Sequence, residues 1–134
     1  MTRSQEREQA FILLFEWSFQ PFSPAEELIA LSLESEFIKP SSFTEKLVMK
    51  TVENREEIDS VIEKYAEGWS LGRLTKASLS ILRLAVCEIL FFDEIPTGVS
   101  INEAVNLGKK YAGTKDSAFI NGVLGSIARS SEEK

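Results

Sequence analysis

Thr75-Lys76-Ala77-Ser78-Leu79-Ser80-Ile81-Leu82-Arg83-Leu84-Ala85-Val86-Cys87-Glu88-Ile89-Leu90-Phe91-Phe92 is the most apolar stretch of the chain, and its reading decides the fold. Leu79, Leu82, Val86 and Ile89 recur at helical spacing. Ile81, Leu84, Ala85 and Leu90 widen that face until the segment is apolar nearly all round, as a central helix must be. Ser80, Arg83 and Glu88 interrupt it, so it cannot span a membrane. Unpaired charges there would be costly, and a shared ion-pair network with Glu103 or another carboxylate is expected. Cys87 reads as a small buried apolar residue, since one cysteine forms no intramolecular disulfide and no metal-ligand spacing surrounds it.

Working towards the N-terminus, Trp69 to Leu74 is a connector with one aromatic anchor, Trp69. A helix before it carries Ile58, Val61, Ile62 and Tyr65 and ends near Gly68, with a change of register around Asn54. Ser42-Phe43-Thr44-Glu45 has the form of a capping box and opens a helix with Leu47, Val48 and Val52. Ser23-Pro24-Ala25-Glu26 has the same form. It opens a helix that carries Leu28, Ile29, Leu31, Leu33 and Phe37 towards Pro40. The first helix runs from about Arg3 to Phe19 on Ala10, Leu13, Leu14 and Trp17, widened by Phe11 and Phe15, and Pro21 stops it.

Towards the C-terminus, Asp93 to Gly98 is a turn. Ser100-Ile101-Asn102-Glu103 is a third capping box, opening a helix with Ala104, Val105, Leu107 and Tyr111 that ends at Gly113. Thr114 or Asp116 starts the last helix, which buries Phe119, Ile120, Val123, Leu124 and Ile127 before a frayed tail, Ser130 to Lys134. Gly122 and Gly125 within it cost roughly 1 kcal/mol each relative to Ala, which a close helix–helix approach would offset. Asn102 and Asn121 read as helix-end or interhelical hydrogen bonders. No stretch alternates with period two, so the fold class is all-α with about seven helices.

The 134 residues fit one domain, and 43% apolar with 27% charged residues is an ordinary globular composition. The absence of histidine removes histidine-based acid–base chemistry and zinc sites together. There is no nucleophile–base set and no glycine-rich phosphate loop, and sequence neighbours such as Glu26/Glu27 and Glu56/Glu57 point apart on a helix. Neither an enzyme nor a cofactor is expected. The charged start is no signal peptide, and a cytoplasmic location follows as an expectation. The net charge of −6 argues against broad, non-specific nucleic-acid binding.

The second half also contains a string of pieces in a telling order. They are Trp69-Ser70-Leu71-Gly72-Arg73-Leu74, Ile81-Leu82-Arg83-Leu84-Ala85 with Glu88-Ile89-Leu90, and Ile95-Pro96. Ile101-Asn102-Glu103-Ala104-Val105 follows with Lys109 and Tyr111-Ala112-Gly113, and then Phe119-Ile120-Asn121-Gly122-Val123-Leu124. In that order and spacing they resemble the C-terminal half of the NusB family, densely from about Tyr65 to Ala128. Arg7, Ala10, Leu14, Phe15 and Trp17 carry a thinner match before it.

The resemblance implies two small helical bundles packed within a single domain spanning 1–134. Helices 1–3 would form an N-terminal bundle to about residue 53, and helices 4–7 a C-terminal bundle over 54–130. It also implies antitermination during ribosomal RNA transcription. Family members bind single-stranded boxA RNA together with NusE, a protein of the small ribosomal subunit, within the RNA polymerase antitermination complex.

In the family the first helix and the start of the last line the RNA. Carried onto this chain, the candidates are Arg3, Arg7, Phe15, Lys115, Ser117 and Phe119, with Lys109 and Lys110 nearby in sequence. Such residues suit single-stranded RNA, which is held by cations along its backbone and aromatic groups that stack on bases. Each also has a structural reading: Arg7 could pair with Glu6 or Glu8, and Phe15 and Phe119 lie on or beside apolar stripes. Many relatives carry an arginine cluster before the first helix, whereas Ser4, Gln5 and Glu6 separate Arg3 and Arg7 here. Fewer phosphate contacts predict weaker, partner-dependent RNA binding. The glutamates that load the first half read as a solvated face or as a docking surface for a basic ribosomal protein. The alternative function is a helical protein–protein interaction module, docking a partner or forming a homodimer, without RNA binding.

Overall fold

The computed structural model describes residues 1–68 and 70–132, with side chains described to residue 130. The anchor expected at Trp69 lies outside the described residues, as does the end of the tail. The described elements are α1 (Arg3–Trp17), α2 (Ala25–Glu34), α3 (Ser42–Glu53), α4 (Arg55–Tyr65), α5 (Lys76–Phe91), α6 (Thr97–Tyr111) and α7 (Thr114–Glu132), with a single 3-10 turn at Leu71–Arg73. Seven α-helices and no strand among the described residues make the protein all-α. No described helix is long and apolar enough to cross a membrane.

α5 is the hub, packing on α1, α3, α4, α6 and α7, while α1, α2 and α3 pack on one another and α6 packs along α7. Its residues Ile81, Leu82, Leu84, Ala85, Val86 and Cys87 are all buried, as its nearly continuous apolar surface requires. Burial also pushes the Cys87 thiol up to about 11, so it is an inert core residue.

The charges that interrupt α5 are paired, as expected, in two separate sets rather than one shared network. Arg83 binds Asp59 of α4 in a two-pronged contact of 2.8 and 2.9 Å rather than joining Glu103. Glu88 accepts from Arg7 Nε of α1 at 2.9 and 3.1 Å and from the Ser100 hydroxyl of α6 at 3.0 Å. Glu103 lies 3.8 Å from Arg7 Nη1 and accepts from Ser4 at 2.6 Å. One buried network thus pins α1, α5 and α6 together.

Several helix starts differ from the sequence reading. Thr2 and Gln5 form a capping box on α1 that the reading missed, with Thr2 Oγ1 accepting from Gln5 N–H at 3.1 Å and Gln5 Oε1 from Thr2 N–H at 2.8 Å. Ser23 caps nothing: α2 begins one residue later, behind Pro24, and the Ser23 carbonyl accepts from the Trp17 indole N–H at 3.3 Å. Ser41, not Ser42, caps α3. α6 begins at Thr97 behind Pro96, so Ser100 lies inside the helix facing Glu88 instead of capping it.

Two packing expectations are also corrected. A Cβ on Gly122 would meet nothing within 4 Å, and one on Gly125 only Arg129 Nη1 at 3.3 Å; the close helix approach is at Gly108, where it would lie 3.0 Å from Ser117 Cβ. Leu31 and Phe37, expected among the apolar residues of the second helix, are exposed; the helix ends at Glu34, before Phe37, and Ile38 is buried instead.

Candidate nucleic-acid interface

Three element ends converge on one side of α5. Phe11 and Phe15 of α1 and Phe19 just past its end follow one another at four-residue spacing, and their rings form a row. Phe11–Phe15 centroids are 6.1 Å apart and Phe15–Phe19 5.1 Å, and Tyr111 at the end of α6 extends the row with a 4.8 Å contact to Phe11. Lys76 in the first turn of α5 places its ammonium 5.3 Å from the Phe19 ring. Ser78, one turn further in, donates to Asp116 in the first turn of α7 at 2.8 Å, which ties the starts of α5 and α7 together.

Where those two starts meet there is a cavity of about 150 Å³, lined by Arg73, Leu74, Thr75, Ser78, Lys115, Asp116 and Phe119. Its walls combine an aromatic ring with two cations. The first turns of α5 and α7 both border it, each carrying the partial positive charge of unsatisfied backbone N–H groups. Helix starts of this kind favour phosphate. Thr75 Oγ1 already accepts from Ser78 N–H at 3.1 Å, while the exposed Lys76 and Lys115 add full charges. Arg73, Lys76 and Lys115 outnumber the Asp116 carboxylate at this end, so the net charge of −6 is no bar to an anionic ligand there.

The predicted site residues divide into three groups. Lys115 and Phe119 are brought together at this cavity, and Phe15 stands half-buried in the neighbouring aromatic row. Ser117 is on the same turn but is 3% exposed. Its hydroxyl donates to the Thr114 carbonyl, and its Cβ faces Gly108, so tight packing of α6 on α7 withdraws it from the surface.

Arg3 and Arg7 lie towards the other end of α1, about 18 Å and about 12 Å from Phe15 along the axis at the helical rise per residue. Arg3 is exposed and held in place, its guanidinium 4.1 Å from the Phe43 ring centroid and 3.4 Å from Glu6. Arg7 is not on the polar side of α1 and pairs with neither Glu6 nor Glu8. It is 3% exposed and turned inward onto Glu88, because a buried carboxylate needs a partner.

Lys110 is held by Glu8 at 2.6 Å, and the Tyr111 hydroxyl donates to the same oxygen at 2.6 Å. The two hydrogen bonds hold the Glu8 carboxyl below its usual value, and the carboxylate holds Lys110 above its own. Lys109 lines a shallow groove between α6 and α7 with Asn102 and Asn121. Those two asparagines are exposed and make no side-chain hydrogen bond among the described residues, so they are not the helix-end or interhelical bonders expected. The sequence reading missed Arg73, Lys76 and Phe19. A signal was present: each of the threonines Thr75 and Thr114, at the two helix starts, is followed directly by a lysine.

Comparison with known proteins agrees with this architecture. The model of the NusB family matches residues 4–129. The transcription antitermination protein NusB of Natranaerobius thermophilus is 44% identical over 132 residues, covering 96% of this chain and 95% of that protein. The NusB of Agathobacter rectalis is 42% identical, covering 96% and 100%. Among solved structures, a complex of antitermination factors NusB and NusE with double-stranded RNA contains a similar chain. It matches with a TM-score of 0.83 at 35% identity, covering 97% of this chain and 99% of that one. By sequence along nearly its whole length and by fold, the chain belongs to the NusB family.

Proposed function

We propose that the chain is a transcription antitermination factor that binds boxA-type single-stranded RNA together with NusE, as part of the RNA polymerase antitermination complex in the cytoplasm, and that it catalyses no reaction. The observation that carries this reading is the meeting of the α5 and α7 starts, where Phe119, Arg73 and Lys115 line one cavity. An aromatic face for a base beside cations for phosphates is what single-stranded RNA needs. The relatives' shared name and the complex of NusB and NusE with double-stranded RNA support an antitermination role that involves RNA and NusE.

Within it, Lys115, Phe119 and Arg73 contact the RNA at the cavity, with Phe15 in the flanking aromatic row and Arg3 at a separate point along α1. Arg7 and Ser117 act as positioning residues, Arg7 by anchoring α1 and Ser117 by seating the start of α7 on α6. With Arg7 engaged by Glu88, the first helix presents Arg3 but not the second arginine, and this favours dependence on NusE. Fluorescence anisotropy of a labelled boxA RNA, titrated with the chain alone and with NusE, tests the reading. Tighter binding with NusE, lost against a scrambled RNA, is expected. Absence of binding in both mixtures would instead leave a protein-only interaction module.

A further inference from the structure

From Pro21 to Ile38 the chain holds four glutamates, Glu26, Glu27, Glu34 and Glu36, and no lysine or arginine. The same segment exposes three large apolar side chains: Phe22 is 96% exposed, Leu31 63% and Phe37 60%. α2 seats Ala25, Ile29 and Ser32 against its neighbours α1 and α3. Its outer side is Glu26, Glu27, Ala30, Leu31 and Glu34, all exposed, which helical spacing gathers into one stripe. Phe22 precedes the first turn and Phe37 follows the last, so the two rings lie beyond either end of an element about 15 Å long that carries Leu31.

The exposure of Phe37 is built into the backbone. Glu36 adopts a φ of 60°, and the N–H groups of Phe37 and Ile38 both donate to the Ser32 carbonyl, at 2.9 and 3.2 Å. That turn sends Ile38 into the core, where it is 5% exposed, and leaves the Phe37 ring outside. A lone exposed apolar residue needs no explanation, but three within residues 22–37 mark an interaction surface.

The charge of the face selects its occupant. Nucleic acid is repelled by the carboxylates. A second copy packing through the same face would set glutamate against glutamate, because a two-fold interface pairs like with like. A segment with lysine or arginine flanking an apolar stripe complements both features. We infer that the outer face of α2, with Phe22 and Phe37 at its ends, docks a basic amphipathic segment of a partner protein. None of these residues lines the cavity at Phe119, so the inference stands apart from the RNA reading.

The test is an NMR titration of the isotope-labelled full chain with a synthetic amphipathic lysine–leucine helix, with oligolysine as a charge-only control. Shifts concentrated in residues 22–37 are expected. The double substitution Phe22→Ser, Leu31→Ser should weaken the peptide by at least roughly tenfold and leave oligolysine binding unchanged. Both positions are exposed, so the melting curve should not move. BoxA RNA binding with NusE should also be unchanged, and its loss would overturn the inference by merging this face with the RNA assembly. Shifts spread evenly over the glutamates of α4, or equal peptide affinity in the double variant, would make α2 a merely solvated face. A dimer seen in sedimentation that the double substitution abolishes would give the face to a second copy and overturn the partner assigned here.

Discussion

Arg7 and Glu88 are joined in the interior, Nε to Oε2 at 2.9 Å, with side chains 4% and 0% exposed. The contact links the first helix to the central one across 81 residues of chain. Each charge is tolerated there because of the other, with Ser100 supplying a further donor to the carboxylate. The pair therefore sets where α1 lies relative to α5, and with it where the aromatic row of α1 meets the start of α5.

Removing one partner strands the other. Arg7→Met should cost about 3 kcal/mol in urea unfolding, because Glu88 is left charged and unpaired in the core. The double substitution Arg7→Met, Glu88→Leu should recover most of that loss. Equal losses in the single and double variants would show that packing rather than charge governs the site.

The glycines of α6 and α7 should respond in opposite directions. A Cβ on Gly108 would lie 3.0 Å from Ser117 Cβ and 3.1 Å from its Cα, so Gly108→Ala must push the helices apart. A loss of about 1–3 kcal/mol is expected. Gly122 has open space around it, and Gly122→Ala should stabilise by up to about 1 kcal/mol through helix propensity. Thermal melts of the two variants check both signs.

Glu8 makes a pH-dependent contribution. Its folded value lies below 4.5, chiefly through the Lys110 hydrogen bond and then that of Tyr111. A lowered carboxyl stabilises the fold above its unfolded value and loses that contribution as pH falls through the folded one. The stability difference between the wild type and Glu8→Gln should thus be present at neutral pH and shrink below about pH 4.5. A difference that stays constant from pH 7 to pH 3 would contradict the assignment.

The helices were legible because apolar periodicity is local, and α5 was identified as central from its all-round apolar surface. The errors came from features that local pattern does not encode. Ser100-Ile101-Asn102-Glu103 reads as a capping box, yet the same spacing turns Ser100 and Glu103 towards α1 and α5 from inside a helix. The text around Arg7 offers Glu6 and Glu8 as partners and cannot show a carboxylate on another helix. Phe37 and Ile38 look equally apolar in sequence, and the positive φ of Glu36 decides which is buried. At the proposed RNA-binding end, Lys115 and Phe119 came from the family motif, whereas Arg73 and Lys76 precede and open a different helix. They join the site because Ser78 and Asp116 tie the two helix starts together.

The central claim is that RNA seats at the cavity between the starts of α5 and α7, with Phe119 supplying a stacking face. The most direct measurement is boxA RNA affinity, by anisotropy with saturating NusE, for Phe119→Leu, which keeps an apolar side chain while removing the ring. Loss of one base stack, about 1–3 kcal/mol, predicts at least a several-fold fall in affinity, read at a temperature where the melting curve shows the variant fully folded. An affinity equal to that of the wild type would contradict the account and place the RNA elsewhere on the chain.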